Sequence, residues 1–63
     1  MNILYKNMLV QGVSVAQLAK KLGISTQAIY QWKLGRSKPN PMLLKKISKI
    51  LGINIEGLIK AFY

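Results

Sequence analysis

The sequence predicts a compact, all-α bundle of five short helices. Three observations carry that expectation. Glycines and prolines punctuate the 63 residues at intervals suited to short helices. Between them, apolar residues recur at spacings of three and four, as one buried helical face requires. No stretch alternates apolar and polar residues over a length that a strand would need. A chain of this size forms a single domain, residues 1–63. It buries only about 60% of its unfolded surface. There is no Cys for a disulfide or a thiolate metal site, so the 51% of residues that are hydrophobic must supply the core.

The first segment runs from about Ile3 to Gln11 and stops at Gly12, with Leu4 and Met8 on one face. The second opens at Ser14, with Gln17 three residues on, a capping-box pattern. Val15, Leu18, Ala19 and Leu22 share its apolar side, Gln17, Lys20 and Lys21 the other, and Gly23 ends it. The third segment spans about Ser25 to Leu34, closed by Gly35. Arg36-Ser37-Lys38-Pro39-Asn40-Pro41 then reads as a loop whose Asn40 caps the fourth segment, with Pro41 at the first helical position. That segment reaches Leu51 and ends at Gly52. Asn54 caps a last helix to Phe62.

Charge gives the first clue to function. Lys and Arg number ten, Glu56 is the lone acid, and the net charge is +9. A surface selected for solubility alone mixes both signs. This one calls for a polyanion: nucleic acid, an anionic membrane or an acidic protein. The pattern contains no run of about 18 apolar residues for a membrane span, and no signal-peptide or lipidation motif. A cytoplasmic location is expected. With no His, no Cys, no Asp and a single Glu, the chain lacks the groups for acid–base, nucleophilic or metal chemistry. We expect no enzyme activity, no cofactor, no metal and no small-molecule effector.

Segments two and three meet at Gly23-Ile24-Ser25, the outline of a helix-turn-helix. The surface of segment three is the informative part. At about 100° per residue from Thr26, Ala28, Ile29 and Trp32 gather between about 200° and 300°, and Thr26, Gln27, Tyr30 and Gln31 between about 0° and 140°. The first group reads as core. The second is neutral and rich in groups that both donate and accept hydrogen bonds. Base edges demand such groups: Gln pairs bidentately with adenine, and a Thr methyl packs on a thymine methyl. Cations flank this face. Lys33, Arg36 and Lys38, with Ser37 between the last two, are placed for phosphate contacts. Lys45 and Lys46 read equally as phosphate contacts or solvated charges, and Lys20, Lys21, Lys49 and Lys60 as solvated faces. The starts of segments two and four, at Ser14 and Asn40, present helix N-terminal amides suited to phosphate.

From Ser14 to Ile59 the sequence resembles the Cro/C-repressor type of helix-turn-helix, also called the xenobiotic-response-element type. The resemblance rests on Ala19 and Gly23, on Ile29 and Trp32, and on Gly35-Arg36-Ser37-Lys38-Pro39. Downstream it includes Leu44, Ile47, Leu51-Gly52-Ile53, Ile55 and Leu58. It implies a lambda-repressor-like bundle of five helices, usually homodimeric, that represses transcription from palindromic operators on double-stranded DNA. It implies base contacts at Thr26, Gln27 and Gln31, with Tyr30 beside them, and phosphate contacts at Ser25, Lys33, Arg36, Lys38 and Asn40. Two positions depart from the family pattern. Val15 stands where many members carry a phosphate-clamping Gln, and the first segment is short and carries no acid.

A domain this small has room for DNA binding and dimerisation, which suggests a Cro-like regulator of a phage or mobile element. Ile53, Ile55, Leu58, Phe62 and Tyr63 are candidates for a dimer patch, against the alternative that the tail folds onto its own bundle. A different class of function is a partner-binding module, such as an antitoxin, whose basic surface serves an acidic protein as well as DNA. A membrane-active basic peptide would need one continuous exposed apolar face, and the many caps and turns argue against it.

Overall fold

The computed structural model describes residues 3–63. Five helices follow one another: α1 (Ile3–Gln11), α2 (Val15–Leu22), α3 (Thr26–Lys33), α4 (Pro41–Leu51) and α5 (Ile55–Phe62). No strand occurs among the described residues. The bundle measures 25 × 24 × 22 Å. α2 packs on α3 and α4, α1 on α4 and α5, and α4 on α5.

Local chemistry sets each boundary. Ser14 forms the full capping box. Its hydroxyl oxygen accepts from the Gln17 amide at 3.1 Å, and Gln17 Oε1 accepts from the Ser14 amide at 2.9 Å. Ser25 Oγ caps α3 through the Ala28 amide, Asn40 Oδ1 caps α4 through Leu43, and Asn54 Oδ1 caps α5 through Glu56. These acceptors satisfy donors that the first helical turn leaves unpaired. At the other end of α2, Gly23 takes φ +70°. Its amide donates to the Lys20 carbonyl and the Ile24 amide to the Ala19 carbonyl, the two bonds of a Schellman motif. A side chain at this left-handed position would be strained, so glycine makes the tight turn into α3.

One core joins all five helices. Leu4, Leu18, Ile29, Ile47 and Leu58 are fully enclosed, and Met8, Leu22, Trp32, Leu44, Leu51 and Ile53 nearly so. Leu4 and Met8 do share the buried face of α1, and Tyr5 joins them. Helix α1 crosses α5 where Gly57 has no side chain. A Cβ there would lie 3.3 Å from Ile3 Cδ1, tighter than ordinary carbon–carbon contact.

Two expected dimer residues prove to be core. Ile53 is 5% exposed and Leu58 is fully buried. Leu58 lies on the stripe of α5 that meets α1 and α4, and the turn after Gly52 directs Ile53 inward. Its carbonyl accepts a hydrogen bond from the Ser48 hydroxyl. Neither can offer surface to a second copy without unfolding.

Candidate nucleic-acid interface

Helix α3 is held from behind and exposed in front. Ile29 and Trp32 anchor it in the core. Behind Ile29, the Tyr5 hydroxyl donates to the Ile29 carbonyl at 3.0 Å, tying α1 to α3 across 24 residues. Behind Trp32, the Phe62 ring packs edge-on at 6.3 Å between centroids. The two outer helices therefore brace the middle one. Burial pushes the Tyr5 phenol up to about 12, so its hydroxyl keeps its proton, and its donor role, at any ordinary pH.

Of the expected base-reading residues, Thr26, Gln27 and Tyr30 are exposed, and Gln31 is half-buried at the edge of the same face. Ser25 precedes them with its hydroxyl oxygen engaged in the cap. The helix ends where the Gly35 amide donates to the Trp32 carbonyl and the Arg36 amide to that of Gln31. This turn starts the loop that carries Arg36, Ser37 and Lys38, all exposed.

The residues expected to contact phosphate lie in the last turn of α3, on the loop after it and at the starts of α2 and α4. Lys33 leaves the last turn of α3 with its ammonium 5.8 Å from the centre of the Tyr5 ring. Lys38 lies over the Tyr63 ring at 4.8 Å. Pro39 is buried, and its carbonyl accepts from the Tyr63 hydroxyl at 2.7 Å. The loop is thus stitched to the end of α5. Asn40 is exposed and uses Oδ1, not Nδ2, for its cap. Ser14 is exposed too, but the capping box already engages its amide and hydroxyl oxygen. At that helix start the amides of Val15 and Ala16 are the groups that helical bonding leaves over.

Three of the five candidate dimer residues keep some surface. Ile55 and Phe62 are half-buried and Tyr63 is 61% exposed. Ile55 and Tyr63 line a groove of about 390 Å³ between α4 and α5 with Pro41, Leu44, Lys45 and Ile59. Met42 lines a second depression alongside it, with Lys45, Lys46 and Lys49 at its edge. Sequence reasoning overlooked Tyr5 and the bond between Tyr63 and Pro39. Tyr5 carries a legible signal, since it lies three residues before Met8 on the apolar side of α1. Nothing in the sequence announces that Pro39 and Tyr63 meet.

Among the described residues no group of His, Cys, Asp or Glu could hold a metal, and no helix is long and apolar enough to cross a membrane. Two short helices on a glycine turn, the second braced from behind, with a neutral polar front and a cationic frame, define a helix-turn-helix domain.

Comparison with known proteins agrees. A family model described as Helix-turn-helix matches residues 6–58. The chain belongs to that family, of the Cro/C-repressor type, which is one of DNA-binding regulators rather than enzymes. It is 33% identical over 57 residues to "Multiprotein-bridging factor 1c" of Arabidopsis thaliana, covering 90% of this chain and 38% of that protein. It is 34% identical over 50 residues to the "SPbeta prophage-derived uncharacterized HTH-type transcriptional regulator YonR" of Bacillus subtilis, covering 79% of this chain and 46% of that one. A "Putative multi-protein-binding factor 1" of Yarrowia lipolytica is 32% identical over 47 residues, 75% of this chain and 31% of that protein. The chain spans less than half the length of each of these relatives. No solved structure matches.

Proposed function

We propose that this chain is a transcriptional regulator that binds double-stranded DNA with α3 in the major groove. The observation that carries the reading is the exposed front of α3. Thr26, Gln27 and Tyr30 project from it with Gln31 at its edge, and Lys33, Arg36 and Lys38 frame it. In this reading Gln27 and Gln31 pair with base edges, Thr26 contacts a base or a thymine methyl, and Tyr30 packs beside them. Lys33, Arg36 and Lys38, with Ser25, Ser37 and Asn40, fix the register on phosphates. Ser14 marks a further phosphate approach at the start of α2. The +9 charge draws DNA of any sequence, and the α3 front chooses among sequences. Two copies bind a palindromic operator overlapping a promoter and so repress it. Their contact lies on α4 and α5, where Ile55, Phe62 and Tyr63 retain apolar surface beside Ile59 and Met42. The prophage-derived relative supports a setting in a phage or mobile element.

The experiment is selection from a randomised double-stranded DNA pool at near-physiological salt. An enriched palindrome with half-site centres about 34 Å apart is the expected result. A single enriched half-site would withdraw the homodimer and keep the reading helix. Uniform, salt-sensitive binding to every sequence would overturn base reading by α3.

A second reading is a module that holds a protein as well as DNA. The names of the Arabidopsis and Yarrowia relatives and the apolar groove between α4 and α5 support it. Stoichiometric co-purification of an acidic protein, lost on Ile59→Glu, would favour it.

A further inference from the structure

Lys38 and Pro39 lie on the loop between α3 and α4, and Tyr63 closes α5. The Tyr63 side chain does two things to this loop at once. Its hydroxyl bonds the Pro39 carbonyl at 2.7 Å, and its ring lies under the Lys38 ammonium at 4.8 Å. Its own backbone amide donates a hydrogen bond to the Ile59 carbonyl. Tyr63 is 61% exposed, so this is no core contact that merely fills space. Pro39, by contrast, is fully buried. One surface side chain thus bridges an enclosed backbone position and the exposed cation next to it.

We propose that Tyr63 is a positioning residue for DNA binding, which holds Lys38 and its loop ready for a phosphate. The inference rests on the DNA-binding reading above and goes beyond it, because Tyr63 acts through Lys38 and not on DNA. A free lysine loses rotamer freedom when it docks, at a cost of about two- to tenfold in affinity per long side chain. An aromatic face restrains the ammonium beforehand without neutralising it, since the ring quadrupole supplies attraction but no counter-charge. The carbonyl bond fixes the backbone from which Lys38 extends. Together they remove part of the ordering cost before DNA arrives. Lys33 over Tyr5 is a looser arrangement, at 5.8 Å.

The test measures affinity and its salt dependence for Tyr63→Ala, Tyr63→Phe, Lys38→Ala and the Tyr63→Ala/Lys38→Ala double variant. The probe is a duplex with one selected half-site, so that dimerisation does not enter. Lys38→Ala should lower the slope of log K against log salt by about 0.9 and weaken binding about three- to tenfold. Tyr63→Ala should weaken binding several-fold and lower the slope in the same sense. The double variant should be no more than about twofold weaker than Lys38→Ala alone, since the two act in one contact. Tyr63→Phe, which keeps the ring, should restore the slope.

Far-UV circular dichroism melts establish that each variant is folded at the assay temperature. The proposal is overturned if Tyr63→Ala keeps the original slope and its loss multiplies with that of Lys38→Ala, the behaviour of a purely structural residue. It is equally overturned if Tyr63→Ala binds more tightly, for the ring would then sequester Lys38. If the unmodified chain shows no salt-dependent duplex binding, the DNA reading itself fails and takes this proposal with it.

Discussion

Tyr5→Phe isolates the bond that ties α1 to the back of α3. The substitution keeps the ring, and therefore its packing and its contact with Lys33. It removes only the hydroxyl that donates to the Ile29 carbonyl at 3.0 Å. A buried hydrogen bond of this kind is worth about 1 kcal/mol net. Unfolding entropy near 2.1 cal/mol/K per residue makes that a fall in Tm of about 8 °C for a domain this small.

The same residue predicts the pH dependence. Burial raises the Tyr5 phenol from its ordinary 10.0 to about 12. A raised folded-state value favours the protonated form, so the contribution is whole below pH 10. It falls away as pH climbs from 10 to about 12, where the unfolded chain releases the proton and the folded one still holds it. Every other ionisable group is common to both proteins and cancels in the difference. Thermal melts of both proteins should therefore differ by about 8 °C at pH 7, and the gap should narrow above pH 10. Equal melting temperatures at pH 7, or a gap that widens between pH 10 and 12, would refute the role assigned to the hydroxyl.

Gln31→Ala should relax discrimination at one operator base pair by about 1–3 kcal/mol, and selection from a randomised pool would leave the other positions as they were. Ser14→Ala removes the capping box on α2 and should cost about 1 kcal/mol in urea unfolding, with the base preferences of the remaining folded protein unchanged. Gly23→Ala places a Cβ at φ +70° and should cost about 1–2 kcal/mol. Space is not the cause, since a Cβ there would meet nothing within 4 Å. Gly23→Asn, better tolerated in the left-handed region, should therefore recover part of the loss in the same urea titration.

The starts of α2, α3, α4 and α5 were legible because each is written in a single local residue. Ser14, Ser25, Asn40 and Asn54 accept from amides two or three positions away, and such bonds depend on nothing distant. The inward and outward sides of α3 were legible for the same reason, since Ile29 and Trp32 are one turn apart. Periodicity reports which stripe of a helix is apolar and not which helix covers it. This is why Ile53 and Leu58 were expected at a dimer surface and lie in the core. The two tyrosine hydroxyls were invisible for a related reason. Each bonds a backbone carbonyl 24 residues away, and a carbonyl carries no residue identity for a sequence to reveal. The capping box at Ser14 was foreseen; it uses the Ser14 amide and takes the hydroxyl oxygen as acceptor, which leaves the hydroxyl proton and the Val15 and Ala16 amides as the donors at that helix start.

The residues that secure α3 are different residues from those that face outward. Ser25, Ile29 and Trp32 do the fastening, with Tyr5 and Phe62 behind them. Thr26, Gln27 and Tyr30 stand in front. Mutational drift at the front positions therefore leaves the scaffold's stability almost untouched. On the reading proposed for α3, a lineage built on this bundle would change its base preference in single steps, each intermediate still folded and still carrying the same excess of cations.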